Sequence, residues 1–161
     1  MEPIRIIGKN YQGNVERTRV ACRAIIIKKG RILLSCATRY DLWMLPGGGL
    51  ETGETEIECC AREVAEETGL VFRPTACVLT VEEYYKNNRY NSLYYTGRIV
   101  GQTKTKLTED EKNDALAPRW LSLDAALALF AEYPRYEGVD ELRHGLYLRE
   151  YAALSAFLHR S

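Results

Sequence analysis

Residues 48–70 read GGLETGETEIECCAREVAEETGL, a glycine run followed by a segment dense in glutamate. Thr55-Glu56-Ile57-Glu58 has the form of a capping box, in which a hydroxyl and a carboxylate three residues on satisfy free backbone N–H groups reciprocally. The spacing therefore predicts a helix starting near Glu56. Gly69 supplies a left-handed residue to end it, and Pro74 lies where the helix can no longer continue. At 3.6 residues per turn, Glu63, Glu66 and Glu67 are related by i, i+3 and i, i+4, so their carboxylates share one face. Ile57, Ala61, Val64 and Thr68 line the opposite face, which is the expected core side.

Three like charges on one helix face repel by about 0.2–0.5 kcal/mol per pair, so something positive should sit among them. Arg62 answers part of this, being placed to pair with Glu58 at i−4 and Glu66 at i+4. The remaining oxygen cluster suits a hard divalent cation, since Mg2+ binds carboxylates and keeps waters for substrate phosphates. For an arbitrary glutamate triplet a solvated acidic surface would be the better reading. The preceding loop, residues 45–54 (LPGGGLETGE), reverses that preference. Successive glycines let the backbone turn tightly and let a ligand approach closely, and a helix N-terminus favours anions. Loop and helix together supply both halves of a metal–diphosphate site.

Within the same stretch Gly48, Glu54, Arg62, Glu63, Glu66, Glu67 and Gly69 follow the spacing G-x5-E-x7-R-E-U-x-E-E-x-G-U, with Val64 and Leu70 at the apolar U positions. This resembles the signature of the Nudix hydrolases, with every position filled. A chance match of the seven fixed positions is on the order of one in 10^7 per register, which removes coincidence as an explanation. The resemblance implies an α/β/α sandwich with a central mixed β-sheet. It also implies hydrolysis of a nucleoside diphosphate linked to another moiety, with Mg2+ as cofactor and Mn2+ as a substitute. By position, Glu66 and Glu67 correspond to metal ligands, and Glu63 to a ligand or to the base that activates the water. Arg62 and Glu54 correspond to residues that orient those carboxylates, with Gly48 and Glu51 in supporting positions, and the Gly47 carbonyl is a further ligand candidate. Relatives also recruit an acidic residue from a later loop. Residues 108–114 (TEDEKND) resemble that region and nominate Glu111, although such a loop is often merely solvated.

Eleven tyrosines are spread along the chain, and those around residues 84–95 invite a base-stacking role. Tyr84, Tyr85 and Tyr95 are the candidates for substrate contact, against the alternative that tyrosines in strands are packing residues with a wet hydroxyl. Markers of the dinucleoside-polyphosphate, ADP-ribose, NADH and coenzyme A branches are not matched. A nucleoside triphosphate is therefore slightly preferred as substrate, with ADP-ribose, a nucleotide sugar or a dinucleoside polyphosphate as alternatives. A non-catalytic nucleotide sensor is the alternative of another class.

Lys+Arg and Asp+Glu are 22 each in 161 residues, so no broad attraction to a nucleic-acid polymer or an anionic membrane is expected, and a small nucleotide is the expected partner. No apolar run is long enough to span a membrane, and residues 1–10 (MEPIRIIGKN) lack the apolar centre of a signal peptide, which gives a cytoplasmic expectation. The five cysteines are odd in number, lack C-x-x-C spacing and sit in apolar surroundings, as buried free thiols would.

Residues 19–27 (RVACRAIII) and 31–37 (RILLSCA) read as a hairpin around Lys28-Lys29-Gly30, and residues 77–85 and 92–100 as two strands around a turn at 86–91. Residues 119–121 read as a short strand, 123–131 as a helix capped by Ser122, and 146–159 as an amphipathic helix with Tyr147, Tyr151, Leu154 and Leu158 on one face. One domain over residues 1–161 is expected, with its core at about 18–131 and a C-terminal helical extension at 132–161. That extension could cover the site, close a homodimer or pack on the sheet.

Overall fold

A computed structural model describes residues 2–160. In chain order the elements are β1 (Ile4–Ile7), β2 (Arg17–Ala24), β3 (Ile27–Lys28), β4 (Arg31–Ala37), β5 (Leu42–Met44), β6 (Gly47–Gly49), α1 (Glu56–Thr68), β7 (Leu70–Tyr85), β8 (Asn88–Gln102), α2 (Glu109–Asn113), β9 (Leu116–Ser122), α3 (Leu123–Ala131), a 3-10 turn (Tyr133–Tyr136) and α4 (Glu141–Arg160). One sheet has the order β1-β7-β8-β2-β6, with β1–β7 and β2–β8 parallel and the other pairs antiparallel. A smaller antiparallel sheet is centred on β4, which pairs with β3 and β5 on one side and β9 on the other. Helix α1 covers one face, where Cys22, Ala24, Cys60, Val64 and Phe72 form an apolar cluster. Helices α3 and α4 cover the other, where Leu79, Val81, Tyr94, Phe130, Tyr147 and Leu154 form a second. The result is the α/β/α sandwich with a mixed central sheet.

Local signals formed as expected. Thr55 and Glu58 make the full capping box of α1, and Gly69 ends it at φ 72°. Ser122 accepts from the Ala125 N–H at the start of α3. The core face of α1 differs from expectation, because Ile57 is 51% exposed whereas Cys59, Cys60 and Glu67 are buried. Ile57 stands in the first turn, beside Leu50 and Tyr95 at an open depression of the surface.

The hairpin of residues 19–37 is also different. The first run breaks after Ala24, so β2 joins the larger sheet beside β8, and only Ile27–Lys28 pairs back onto β4. The second hairpin is longer than its apolar stretches, and the turn is Lys86-Asn87 alone, with Lys86 at φ 52°. Polar residues 88–91 continue the ladder because backbone pairing with β7 and β2 holds them. Strand β1, an isoleucine-rich run between Pro3 and Gly8, goes beyond the sequence reading; parallel pairing with β7 places it. Cys77 is exposed, unlike the other four cysteines, and all five are free thiols.

The C-terminal stretch packs on the sheet. Helix α4 buries Tyr147, Glu150, Ala153 and Leu154, and the Tyr94 hydroxyl donates to Glu150 Oε2 at 3.3 Å. Leu154 is fully buried between α4 and the sheet. Its truncation, Leu154→Ala, is expected to cost about 2–5 kcal/mol in a urea denaturation measurement, a loss that a peripheral appendage would not show.

Candidate active site

The glycine run expected as a loop is strand β6, antiparallel to β2 with Gly47, Gly48 and Gly49 opposite Arg23, Cys22 and Ala21. The bonds Ala24 N–H to Pro46 O and Leu50 N–H to Val20 O, both 2.9 Å, fix the alternation. Gly47 then points its N–H and carbonyl away from β2, as non-bonded positions in an antiparallel pair do. The glycines are demanded by crowding. At Gly47, with φ +149°, a Cβ would sit 2.2 Å from the Cys22 carbonyl oxygen, and at Gly48 it would sit 2.4 Å from Glu63 Cδ. Glycine here lets α1 lay its carboxylates directly on a backbone strand.

Glu67 is 5% exposed, and its Oε2 accepts from Ser35 Oγ at 2.8 Å and from the Gly47 N–H at 3.2 Å. Burial outweighs these bonds and pushes its carboxyl up to about 7. Glu63 is pushed up as well, first by burial, against the pull of Arg62 and with Glu66 and Glu111 adding to the rise.

Arg62 joins the remaining acids. It forks onto Glu54 at 2.6 and 3.0 Å, and reaches Glu63 at 2.7 Å, Glu66 at 3.3 Å and the Gly49 carbonyl at 3.1 Å, with Glu51 at 3.8 Å. The Glu54 carboxyl is held down to about 2, mainly by this fork. The expected pair with Glu58 is absent because Glu58 is committed to the Thr55 cap.

Among the described residues, no three His, Cys, Asp or Glu side chains are gathered in metal-ligand geometry, since Arg62 draws Glu63 and Glu66 while Glu67 faces Ser35 and Gly47. The donor set still fits a hard cation. Glu67 is a buried carboxylate that forms no ion pair among the described residues, both of its hydrogen bonds fall on one oxygen, and the Gly47 carbonyl is free of β2. Glu111 caps α2, one oxygen of its carboxylate accepting from the Thr108 N–H at 2.8 Å, and its charge is felt at Glu63.

Beside Gly48 and Gly49 opens a cavity of about 570 Å³ between the sheet and α4. Of the expected tyrosines only Tyr85 lines it, joined by Tyr90. Tyr84 lies on the opposite face, bonded to Glu82 and edge-on to Tyr11, and Tyr95 donates to Glu56 beneath the start of α1. The alternation of strand side chains sends neighbouring tyrosines to opposite faces, and sequence offered no sign of which face was which. Ser35, Arg23, Glu83 and Arg149 were not anticipated. The two charges inside apolar runs, Arg23 in VACRAIII and Glu83 in TVEEYY, were the available signal. The Ser35 contact with Glu67 depends on a packing that sequence spacing does not encode.

The NUDIX domain family model matches residues 16–142. The chain belongs to the NUDIX family. Proteins of this family generally use divalent metals. An RNA pyrophosphohydrolase of Ruthia magnifica subsp. Calyptogena magnifica is 43% identical over 44 residues, 27% of this chain and 25% of that one. The 8-oxo-dGDP phosphatase NUDT18 of Mus musculus is 35% identical over 78 residues, 48% of this chain and 23% of that one. This NUDIX chain thus spans about a quarter of the length of either curated relative. Among solved structures, a NUDIX hydrolase from Nitrosomonas europaea superposes with a TM-score of 0.59 at 23% identity, over 84% of this chain and 89% of that one, showing the shared fold. No helix among the described residues is long and apolar enough to cross a membrane.

The Glu67 environment has a pH signature. Its folded-state pKa lies above the ordinary 4.5, so between about 4.5 and 7 the native state holds more protons than the unfolded chain. Stability in EDTA should fall as pH rises through that window, and Glu67→Gln should remove the Glu67 share of the fall. Adding Mg2+ at pH 8 should raise the melting temperature of the wild type and leave that of Glu67→Gln unchanged.

Proposed function

We propose that this protein is a divalent-metal-dependent hydrolase that cleaves the diphosphate linkage of a nucleoside diphosphate joined to another group. A nucleoside triphosphate is the favoured substrate, ahead of ADP-ribose, nucleotide sugars and dinucleoside polyphosphates. The observation that carries this reading is the buried Glu67 carboxylate on the Gly47 N–H, with Glu63 seated on Gly48, a residue that also lines a cavity sized for a nucleotide.

Glu67, Glu66, Glu63 and the Gly47 carbonyl would hold Mg2+, with Mn2+ as a substitute. Bound there, the ion would neutralise phosphate charge and lower the pKa of a coordinated water. Water oxygen bonds to one phosphorus of the diphosphate, the bridging P–O bond breaks, and the other phosphate leaves with that electron pair. The proton lost by the water passes to a carboxylate, for which Glu63 is one candidate. Burial, which already holds Glu63 above the ordinary carboxylate range, favours such proton acceptance. Arg62 and Glu54 keep the carboxylates oriented, through the fork between them and the bonds from Arg62 to Glu63 and Glu66. Glu51, loosely held at 3.8 Å, supports the same guanidinium. Glu111 remains a further ligand candidate from the later segment, since its cap uses one carboxylate oxygen and its charge is felt at Glu63.

The five free thiols suit a reducing compartment, so the same reading places the protein in the cytoplasm. Helix α4 belongs to the same single working domain, since it walls the cavity.

Phosphate release, after a coupling pyrophosphatase and phosphatase, tests the proposal across nucleoside triphosphates, oxidised nucleotides, nucleotide sugars, ADP-ribose and dinucleoside polyphosphates. Turnover that needs Mg2+, is abolished by EDTA and falls at least about a hundredfold in Glu67→Gln is the expected result. If nothing turns over while one nucleotide raises the melting temperature, the protein is a sensor and the hydrolase reading fails.

A further inference from the structure

The cavity beneath α4 has a floor whose chemistry goes beyond a generic nucleotide cleft. Strand register brings three rows of side chains onto this face. Gly49, Ala21 and Ser92 form one row across adjacent strands, flanked by Arg23 on one side and by Arg19, Tyr90 and Glu83 on the other. The small residues leave a shallow trough, and a Cβ built on Gly49 meets nothing within 4 Å. Over the trough runs α4, where a Cβ on Gly145 would lie 3.4 Å from the Tyr85 hydroxyl, so the roof sits close at that point.

Glu83 is the telling group. It lines the cavity although it is only 5% exposed. Its nearest cation, Arg149, stands at 3.6 Å, longer than a hydrogen bond, because the guanidinium directs its short contacts of 2.6 and 3.2 Å to Glu150. A buried carboxylate that accepts no short hydrogen bond carries a desolvation cost unless donors reach it from elsewhere. Glu83 lines the cavity, so donors on a bound molecule can reach it there. Arg23, which lies between Gly47 and Ser92 and forms no ion pair among the described residues, faces the same space from the end nearest the α1 carboxylates.

We propose that this cavity is a nucleobase subsite in which Glu83 accepts the amino–imino donor edge of a guanine-type base lying on the Gly49–Ala21–Ser92 trough. A 2-amino-6-oxopurine presents two adjacent N–H donors, matching the two oxygens of one carboxylate, with Arg149 beside it as donor to the 6-oxygen. Adenine offers a single amino donor on that edge, and hypoxanthine keeps the imino but lacks the 2-amino group. Arg23 then meets the phosphate that leads toward Gly48. The inference rests on reading the site as one for nucleoside diphosphates, but its test needs no turnover.

Calorimetric titration in EDTA of GMP, IMP and AMP into wild type, Glu83→Gln and Ala21→Leu reads the subsite directly. Wild type should bind GMP about tenfold or more tighter than IMP or AMP. Glu83→Gln should lose that preference, and Ala21→Leu, which fills the trough, should bind none of the three. Equal affinity of wild type for GMP and AMP, a preference that survives in Glu83→Gln, or unchanged binding by Ala21→Leu would each overturn the proposal. Should Glu83→Gln fail to fold, the order among the three nucleotides for wild type and the Ala21→Leu result decide alone. Guanine-selective binding without any hydrolysis would leave the subsite standing and remove only the hydrolase reading.

Discussion

The close seating of α1 on a strand of glycines governs the rest of this structure. Gly48 has no room for a β-carbon because the Glu63 carboxylate occupies it, and Gly47 has none because β2 does. Backbone and carboxylate are thereby brought within hydrogen-bond reach, as the Gly47 N–H bond to Glu67 shows. A side chain at either position would force the helix off the sheet, and the acidic face would lose its register with the cavity. The charge problem created by packing acids this tightly is met by one guanidinium. Arg62 bonds Glu54, Glu63 and Glu66 together, leaving Glu67 buried outside that fork, held by Ser35 and the Gly47 N–H with the Arg23 charge also felt there.

A second charged cluster balances the first across the sheet. Arg149 of α4 holds Glu150 at 2.6 Å and faces Glu83, while Tyr94 bonds Glu150 from the sheet. Buried ion pairs of this kind add little net stability, because desolvation offsets their attraction, but removing one partner is costly. Their effect here is to fix α4 in one position and hence the width of the cavity. The cavity lies between the two clusters, with Gly48 and Gly49 on one side and Glu83 and Arg149 on the other.

What sequence revealed follows the range of the interactions. The capping box at Thr55 and Glu58, the Gly69 terminus and the Ser122 cap depend on residues within a few positions of each other, and all were legible. The ordering of Glu54, Arg62, Glu63, Glu66 and Glu67 was legible for the same reason. Features that depend on partners far along the chain were not. Strand β1 exists through β7, the glycine run became a strand through β2, and Glu67 found Ser35 across 32 positions. Tyr84 and Tyr85 differ by one position, yet a strand sends one to Tyr11 and the other to the cavity. The role of α4 was open for a like reason, since its apolar stripe specified that it packs and not what it packs against.

The central claim is that the glycine strand positions the α1 carboxylates to hold a divalent cation. Electron paramagnetic resonance titration of Mn2+ into wild type and Gly48→Ala tests it most directly, because the added methyl displaces Glu63 without altering any charge. The account predicts a Mn2+ site in the wild type that weakens at least about tenfold in a folded Gly48→Ala protein, equivalent to about 1.4 kcal/mol. Equal Mn2+ affinity in the two folded proteins, or no Mn2+ site in the wild type, would contradict it.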